Sequence, residues 1–217
     1  MDNLQQAIDQ RNYRDISRAL MIQHPNEDQF DAIHQLILEA ANVNTPKNIR
    51  IFLLEIAVHI NDADGFNLLL NTNIFQNWRN HPAAFIIREV LNSNNPALVN
   101  ELLRWVDVNS IIYGKNKTLL QYAASISAPV SIQLLIQNGA NVNAQDHNGN
   151  TPLHFAVREN EGNLETINIL LQNGADTEIK NKSGWHAYDL TNNNEIIDLI
   201  MSYQVPDVKE PDTDYDE

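Results

Sequence analysis

One pattern in the C-terminal half of the chain constrains its fold more than any other feature. A Gly-Ala pair occurs at Gly139-Ala140 and again at Gly174-Ala175, and each pair follows an apolar helical stretch. The segment Thr151-Pro152-Leu153-His154 lies between them. Short motifs that recur every few tens of residues are typical of repeat proteins, in which each unit buries its apolar face against the next unit.

The register continues through apolar pairs on the second helix of each unit, which are Leu102-Leu103, Leu135-Ile136, Leu170-Leu171 and Ile200-Met201. The middle interval exceeds the first by two residues, and we place this surplus at Asn160-Glu161, between the helices of that unit. The last interval is shorter than the first, and we place the deletion at residues 192–194. The same register predicts the first helices of the units at residues 85–91, 118–125, 151–158 and 186–191.

The residues of the best unit suit particular backbone positions. Thr151 is placed to cap the first helix, with Pro152 in its first turn, where a missing N–H costs little. Gly174 follows the second helix, where a left-handed residue closes a C-terminus. Gly149 suits the tight turn of a projecting hairpin.

These motifs together resemble the ankyrin repeat, whose core reads Thr-Pro-Leu-His-x-Ala. The resemblance is clear over about residues 105–203 and strongest over residues 146–174. It implies an all-α fold, namely an ankyrin-repeat α-solenoid of stacked antiparallel helix pairs with short projecting hairpin loops. It further implies that His154 makes structural hydrogen bonds between loops. Members of this family bind partner proteins on the hairpin tips and the exposed side of the inner helices.

The chain divides into three parts. Residues 1–75 have a helical period but no clear motif, and we interpret them as a helical N-terminal region of degenerate repeats or a cap. Residues 76–204 are assigned to the ankyrin repeats. Residues 205–217 contain six acids, one lysine and two prolines, a composition that cannot bury enough apolar surface to fold. We therefore expect a disordered acidic tail.

Composition excludes several functions. The chain has 28 acidic and 14 basic residues and a net charge of −14, which argues against binding to nucleic acid or an anionic membrane. It contains no cysteine, so thiolate chemistry is excluded. The sequence contains no phosphate loop, nucleophile elbow or zinc motif. We therefore expect a cytoplasmic, monomeric protein that is not an enzyme and has no cofactor, metal, membrane or small-molecule ligand.

The repeat register predicts which residues face a partner protein on the concave side. The predicted partner-binding residues are Tyr113, Lys115, Lys117, Tyr122, His147, Asn148, Asn150, Phe155, Arg158, Lys182 and Trp185. Tyr122 and Phe155 are one repeat period apart, so we expect them to be neighbours in adjacent repeats. The lysines and Arg158 predict a local basic strip, and hence an acidic contact on the partner. Aromatic residues with arginine are typical of binding hot spots, although both aromatics also suit packing under the hairpins.

Other interpretations remain open. Asn143 follows Gly139-Ala140 and Val142 in the pattern that resembles a substrate of asparaginyl hydroxylases, so hydroxylation at Asn143 is predicted. An enzyme with a site in the N-terminal region, built around His24, His34 or His59, is one alternative function. A protein inhibitor that masks a basic site is another. The asparagine-rich composition and acidic tail also resemble effectors that intracellular bacteria secrete into a host cytosol.

Overall fold

Helices alternate with short turns along the part of the chain that the structure describes. The computed structural model describes residues 6–7, 9–20, 24–41, 45–72, 82–112, 117–158 and 163–204. The helices are α1 (Tyr13–Leu20), α2 (Glu27–Ala40), α3 (Lys47–His59), α4 (Ala63–Leu70), α5 (Pro82–Ser93), α6 (Pro96–Leu103), α7 (Leu119–Ser125), α8 (Pro129–Gln137), α9 (Pro152–Arg158), α10 (Leu164–Gln172) and α11 (Asn194–Met201), with a 3-10 helix at Ala187–Leu190. The strands are β1 (Ile111–Ile112) and β2 (Lys117–Thr118).

Asparagine side chains cap the N-termini of several of these helices. Those of Asn26, Asn95, Asn163 and Asn193 accept hydrogen bonds from backbone N–H groups in the first turns of α2, α6, α10 and α11. A side-chain acceptor at this position satisfies an amide that has no partner inside the helix. Part of the high asparagine content, 31 of 217 residues, therefore has a structural role at helix starts.

The helices form two layers. The inner layer places α1 against α3, α3 against α5, and α7 against α9, which in turn packs on the 3-10 helix. The outer layer runs through α2, α4, α6, α8, α10 and α11, each packed on the next. This arrangement confirms the all-α solenoid of antiparallel helix pairs that the sequence predicted. A continuous hydrophobic core extends from Ala7 to Ile200, because each pair buries the apolar face of its neighbours.

The helix bounds agree with the counted register. Three residues separate α7 from α8, and five separate α9 from α10, so the surplus of two falls between the helices of that unit, although Asn160-Glu161 themselves lie outside the described residues. The last inner helix differs from the prediction, because residues 187–190 form a short 3-10 helix rather than an α-helix over residues 186–191. His186 caps this turn and Thr191 is already extended, which leaves too few residues for the longer-range bonds of an α-helix.

The projecting hairpins lie at one edge of the helix layers. In the hairpin before α7, β1 pairs antiparallel with β2, with Ile111 opposite Thr118 and Ile112 opposite Lys117. Thr118 then caps α7 through a reciprocal capping box with Gln121. Strand β2 therefore leads directly into an inner helix, and this continuity places Lys117 next to the inner-helix surface.

Candidate functional site

The hairpin tips at residues 146–150 and 181–185 have the same geometry and are bonded to each other. The side-chain Oδ1 of Asp146 accepts from the backbone N–H of Asn148 at 2.9 Å and of Asn150 at 2.7 Å. Asn181 does the same for Ser183 and Trp185. The Lys182 N–H donates to the carbonyl of Asn148 at 2.8 Å. Consecutive tips therefore form one continuous edge above the inner helices.

Gly149 is required by this tip geometry. Its φ of +79° lies in the left-handed region that favours glycine. A Cβ built on Gly149 lies 3.0 Å from the Lys182 nitrogen and 3.1 Å from the Cα of Asn181. The glycine thus allows both the turn and the close approach of the next tip.

His154 joins the first helix of its unit to the next hairpin. Its Nδ1 lies 3.2 Å from the backbone nitrogen of Thr151 and 2.9 Å from the Thr151 hydroxyl, and its Nε2 lies 3.1 Å from the carbonyl of Trp185. Because a carbonyl only accepts, Nε2 carries the proton and Nδ1 accepts. Burial lowers the pKa of His154 below its usual value, against the raising effect of the Trp185 hydrogen bond. The neutral ring is therefore favoured.

Phe155 lies beneath two cationic side chains. The Lys117 Nζ is 4.1 Å from the centroid of the Phe155 ring, and the Arg158 Cζ is 5.2 Å from it. Only 2% of Phe155 is exposed, whereas Arg158 is exposed and Lys117 is half-buried. Two cations of the predicted strip therefore share one aromatic ring, and such contacts hold a cation in place.

Three of the predicted partner-binding residues lie below the surface, which corrects the expectation that they offer contact area. Phe155 is covered by the cations just described. Tyr122 is 8% exposed, and its hydroxyl donates to the Oδ1 of Asn92 at 3.2 Å. Asn150 is 5% exposed and accepts from the Nδ2 of Asn181 at 3.0 Å. These side chains support neighbouring repeats because each reaches a group in the adjacent unit.

The remaining predicted residues divide into an exposed group and a group outside the described structure. His147, Asn148, Lys182 and Trp185 are exposed at the two bonded tips, and the Trp185 side chain is 49% exposed. Tyr113 and Lys115 lie outside the described residues, as does the acidic tail of residues 205–217. We group two exposed tip residues with the two cations around Phe155 and call this set the basic patch: Lys117, Arg158, Lys182 and Trp185.

Asn143, the predicted modification site, bridges two repeats. Its Nδ2 donates to the carbonyl of Gly174 at 3.1 Å, and its Oδ1 accepts from the N–H of Asp176 at 2.9 Å. Asn109 makes the equivalent pair of bonds to Gly139 and Asn141 in the preceding unit. The amide of Asn143 is therefore part of a ladder between loops, so an enzyme that reaches its Cβ must first open these bonds.

A second polar surface lies in the N-terminal half and was not predicted as a site. A groove of about 280 Å³ between α3 and α5 is lined by Val58, His59, Asn61, Glu89, Asn92 and Ser93. The repeat register is the sequence feature that indicates this groove. His59 and Asn92 are one repeat period apart, and Arg158 lies two further periods along the chain. The groove therefore belongs to the same face of the inner helices as the basic patch.

The other two histidines predicted as a possible N-terminal site, His24 and His34, do not line this groove. His24 is exposed. The Nδ1 of His34 lies 2.6 Å from the Oδ2 of Asp62, whose other oxygen accepts from the N–H of Gly65 and caps α4. This pair ties α2 to the start of α4.

Neither a metal cluster nor a membrane span occurs among the described residues. No group of three or more His, Asp or Glu side chains there is arranged to hold a metal ion. In the same residues, no helix has the length and apolar content needed to span a bilayer.

Comparison with known proteins identifies the repeat. Residues 81–181 match the family model for ankyrin repeats in three copies. An ankyrin repeat protein of Acanthamoeba polyphaga mimivirus is 44% identical over 73 residues, which cover 33% of this chain and 17% of that protein. An ankyrin repeat protein of fowlpox virus (strain NVSL) is 26% identical over 153 residues, covering 70% and 35%. Ankyrin repeat domain-containing protein 40 of Mus musculus is 37% identical over 92 residues, covering 42% and 24%.

This chain thus spans about a third or less of the length of these relatives. The matched residues contain α5 to α10, the hairpin tip at residues 146–150, and Lys117 and Arg158 of the basic patch. Lys182 and Trp185 lie just beyond them. The hydrogen bonds of His154, those of Asn109 and Asn143, and the two helix layers all occur at the positions that the repeat register predicts. Residues 81–181 therefore match the ankyrin repeat family, as three copies of its repeat.

Proposed function

We propose that this protein binds an acidic segment of a partner protein on the basic patch. Ankyrin repeats generally mediate protein–protein interaction, and the observation that directs this proposal is the arrangement around Phe155. Two cations, Lys117 and Arg158, are held by one buried ring in a protein whose net charge is −14. A local positive surface in an acidic protein attracts acidic groups and repels basic ones.

The geometry supports binding because the cations are partly immobilised before a partner arrives. Lysine and arginine side chains lose considerable rotamer freedom when they are fixed in an interface. Contact with the Phe155 ring restricts that freedom in the unbound protein. Phe155 therefore acts under the surface, where it positions the two cations above it, and the exposed Trp185 supplies apolar contact area at the edge.

A peptide selection tests this proposal without knowledge of the partner. A phage-displayed library of random dodecapeptides is selected on the immobilised full chain, and selected peptides are measured by isothermal titration calorimetry. We expect enrichment of Asp and Glu and a loss of binding of at least about tenfold in Lys117→Glu/Arg158→Glu, because two favourable charge contacts become repulsive.

The matched control changes the same charge at a distant site. Arg14→Glu/Arg18→Glu alters two exposed residues of α1 and shifts the net charge equally. If both double variants lose the same affinity, the effect is one of overall charge and the basic patch is not the binding surface. If selected peptides show no acidic enrichment, the proposed partner chemistry is wrong.

The localisation of the protein and the extent of its repeats are proposed on separate grounds. We propose that the protein acts in the cytosol and that the helix pairs α1/α2 and α3/α4 are degenerate repeats that continue the solenoid, because they pack in the same two layers. Secretion by an intracellular bacterium stays a prediction, as do hydroxylation of Asn143 and the alternatives of an N-terminal enzyme or a protein inhibitor. The relatives reported above come from two viruses and a mammal, so they do not indicate a bacterial source.

A further inference from the structure

The groove between α3 and α5 differs in charge from the basic patch, although both lie on the inner-helix face. The described residues that line it include one acidic side chain, that of Glu89, and no lysine or arginine. The equivalent positions one and two repeats later are occupied by Tyr122 and Phe155. The position that carries buried aromatic rings under the C-terminal units therefore carries a half-buried carboxylate in this unit.

His59 adds a second acceptor to the groove. Its Nδ1 lies 2.8 Å from the backbone carbonyl of Glu55. Since that carbonyl only accepts, Nδ1 carries the proton, and in the neutral ring Nε2 is left as an acceptor. Two polar neighbours have their side-chain oxygens engaged, because Asn92 accepts from Tyr122 and Asn61 accepts from Asn95. The groove thus combines a negative charge with an acceptor nitrogen, held by a hydrogen-bonded rim.

We infer that this groove binds an arginine side chain of the partner protein. A guanidinium presents N–H donors in a plane and pairs with a carboxylate through two parallel bonds. The volume of about 280 Å³ suits a side chain rather than a larger cofactor. The inference rests on the proposed function in one respect, which is that the partner lies along the inner-helix face.

The basic patch and the groove together then select a partner by the order of the charged residues along its chain. Tyr122 in α7 donates to Asn92 in α5, and α7 packs on α9. With neighbouring helices about 8–10 Å apart, the groove at α3/α5 lies roughly 20 Å from Phe155 in α9. An extended peptide covers this distance in about six residues. A partner segment with an acidic cluster and an arginine at that separation fits both surfaces in one orientation only.

A small probe tests the groove without a partner. The ¹⁵N-labelled full chain is titrated with N-acetyl-arginine N-methylamide and followed by amide chemical shifts. We expect saturable shifts in residues 58–61 and 89–93, with weak affinity. The isosteric citrulline derivative, which has no charge, is expected to produce no saturable shifts in these residues.

Variants separate the groove from general charge effects. Glu89→Gln is expected to weaken binding of the arginine probe by about threefold or more, since it removes the carboxylate but keeps the shape. Glu195→Gln changes an exposed carboxylate on α11 and is expected to leave the affinity unchanged. Equal binding of the citrulline derivative, equal binding by Glu89→Gln, or shifts outside the groove would each overturn the inference.

The peptide selection distinguishes failure of this inference from failure of the proposed function. Peptides selected on the wild-type protein should carry an arginine about six residues from the acidic cluster. On Glu89→Gln they should keep the acidic cluster and lose the arginine preference. Loss of acidic enrichment on the wild-type chain contradicts the proposed function alone, because the arginine probe reports on the groove independently.

Discussion

The contact between Lys117 and Phe155 can be measured directly by a double-mutant cycle. Lys117→Met keeps most of the aliphatic stem and removes the charge, while Phe155→Leu keeps a buried apolar side chain and removes the ring. The Nζ lies 4.1 Å from the ring centroid, well inside the range of about 6 Å over which such contacts are favourable. Lys117 is half-buried, so we expect a coupling free energy of about 0.5–1 kcal/mol.

The single variants have different expected costs. Phe155→Leu loses contacts with both cations and changes the shape of a side chain that is 2% exposed. We expect it to lower the free energy of unfolding by about 1.5–3 kcal/mol. Lys117→Met is expected to cost about 0.5–1 kcal/mol, because the charge is lost while most of the stem still packs.

Urea unfolding of the four proteins gives the coupling. The transition is followed by far-UV circular dichroism and by tryptophan fluorescence, and agreement of the two curves tests two-state behaviour. A second cycle with Lys180→Met, an exposed lysine not placed over Phe155, serves as the control and should show no coupling. If the Lys117 cycle also gives zero coupling within error, the ring does not hold this cation and the argument for a preorganised basic patch is refuted.

Four further results are expected. Burial depresses the pKa of His154, so its contribution to stability is complete above a pH of about 6.5 and is lost as the pH falls through the folded-state pKa; His154→Gln should reduce this loss in urea titrations between pH 7.5 and 5. Gly149→Ala should destabilise the fold by about 1–2 kcal/mol more than Gly184→Ala, because both have positive φ but only the former has backbone within 4 Å of a new Cβ. Asn143→Ala should cost about 1–3 kcal/mol of unfolding free energy and should increase hydrogen exchange at the Asp176 amide. Removal of residues 205–217 should speed binding of acidic peptides at low salt and have little effect at about 0.5 M salt, where charges are screened. If the full and the shortened chain bind at equal rates at low salt, the tail does not repel acidic peptides.

The sequence predicted the solenoid because the repeat register determines where helices pack. A constant repeat period requires the same supersecondary unit each time, so an apolar pair at Leu135-Ile136 located α8 without any knowledge of tertiary structure. The surplus of two residues was located in the same way. The 3-10 form of residues 187–190 was not predicted, because periodicity does not distinguish four helical residues from six.

Side-chain burial was less predictable than helix position. Phe155 was expected to contact a partner, yet it is covered by Lys117, which belongs to the hairpin of the preceding unit. Similarly, the Tyr122 hydroxyl is satisfied by Asn92 in the unit before it. Both contacts cross a repeat boundary, and the sequence of one unit does not show which side chain of its neighbour reaches over it.

The units that depart from the motif retain the repeat contacts by other chemistry. Gln121 stands where the next unit has His154, and its Nε2 donates to the carbonyls of Ala144 and Asn150 in the following hairpin. Its Oε1 accepts from the N–H of Thr118, as the histidine Nδ1 accepts from Thr151. A glutamine thus supplies both the acceptor and the donor that the motif histidine supplies, so loss of the motif is not loss of the repeat.

The groove was not predicted as a site because its lining residues are outside the repeat motif. Partner specificity should be sought at such positions. The motif residues hold one hairpin to the next, so they are restricted to a few side chains and carry little information about a partner. Glu89, which shares the register of Tyr122 and Phe155, is not a motif position and is free of that restriction. A change from aromatic ring to carboxylate at one such position alters the charge of the binding face without disturbing the stack. If the groove binds a partner as proposed, variation in the N-terminal units tunes partner choice at little structural cost. We therefore expect Glu89→Gln to change binding and to leave the unfolding free energy within about 0.5 kcal/mol of the wild-type value.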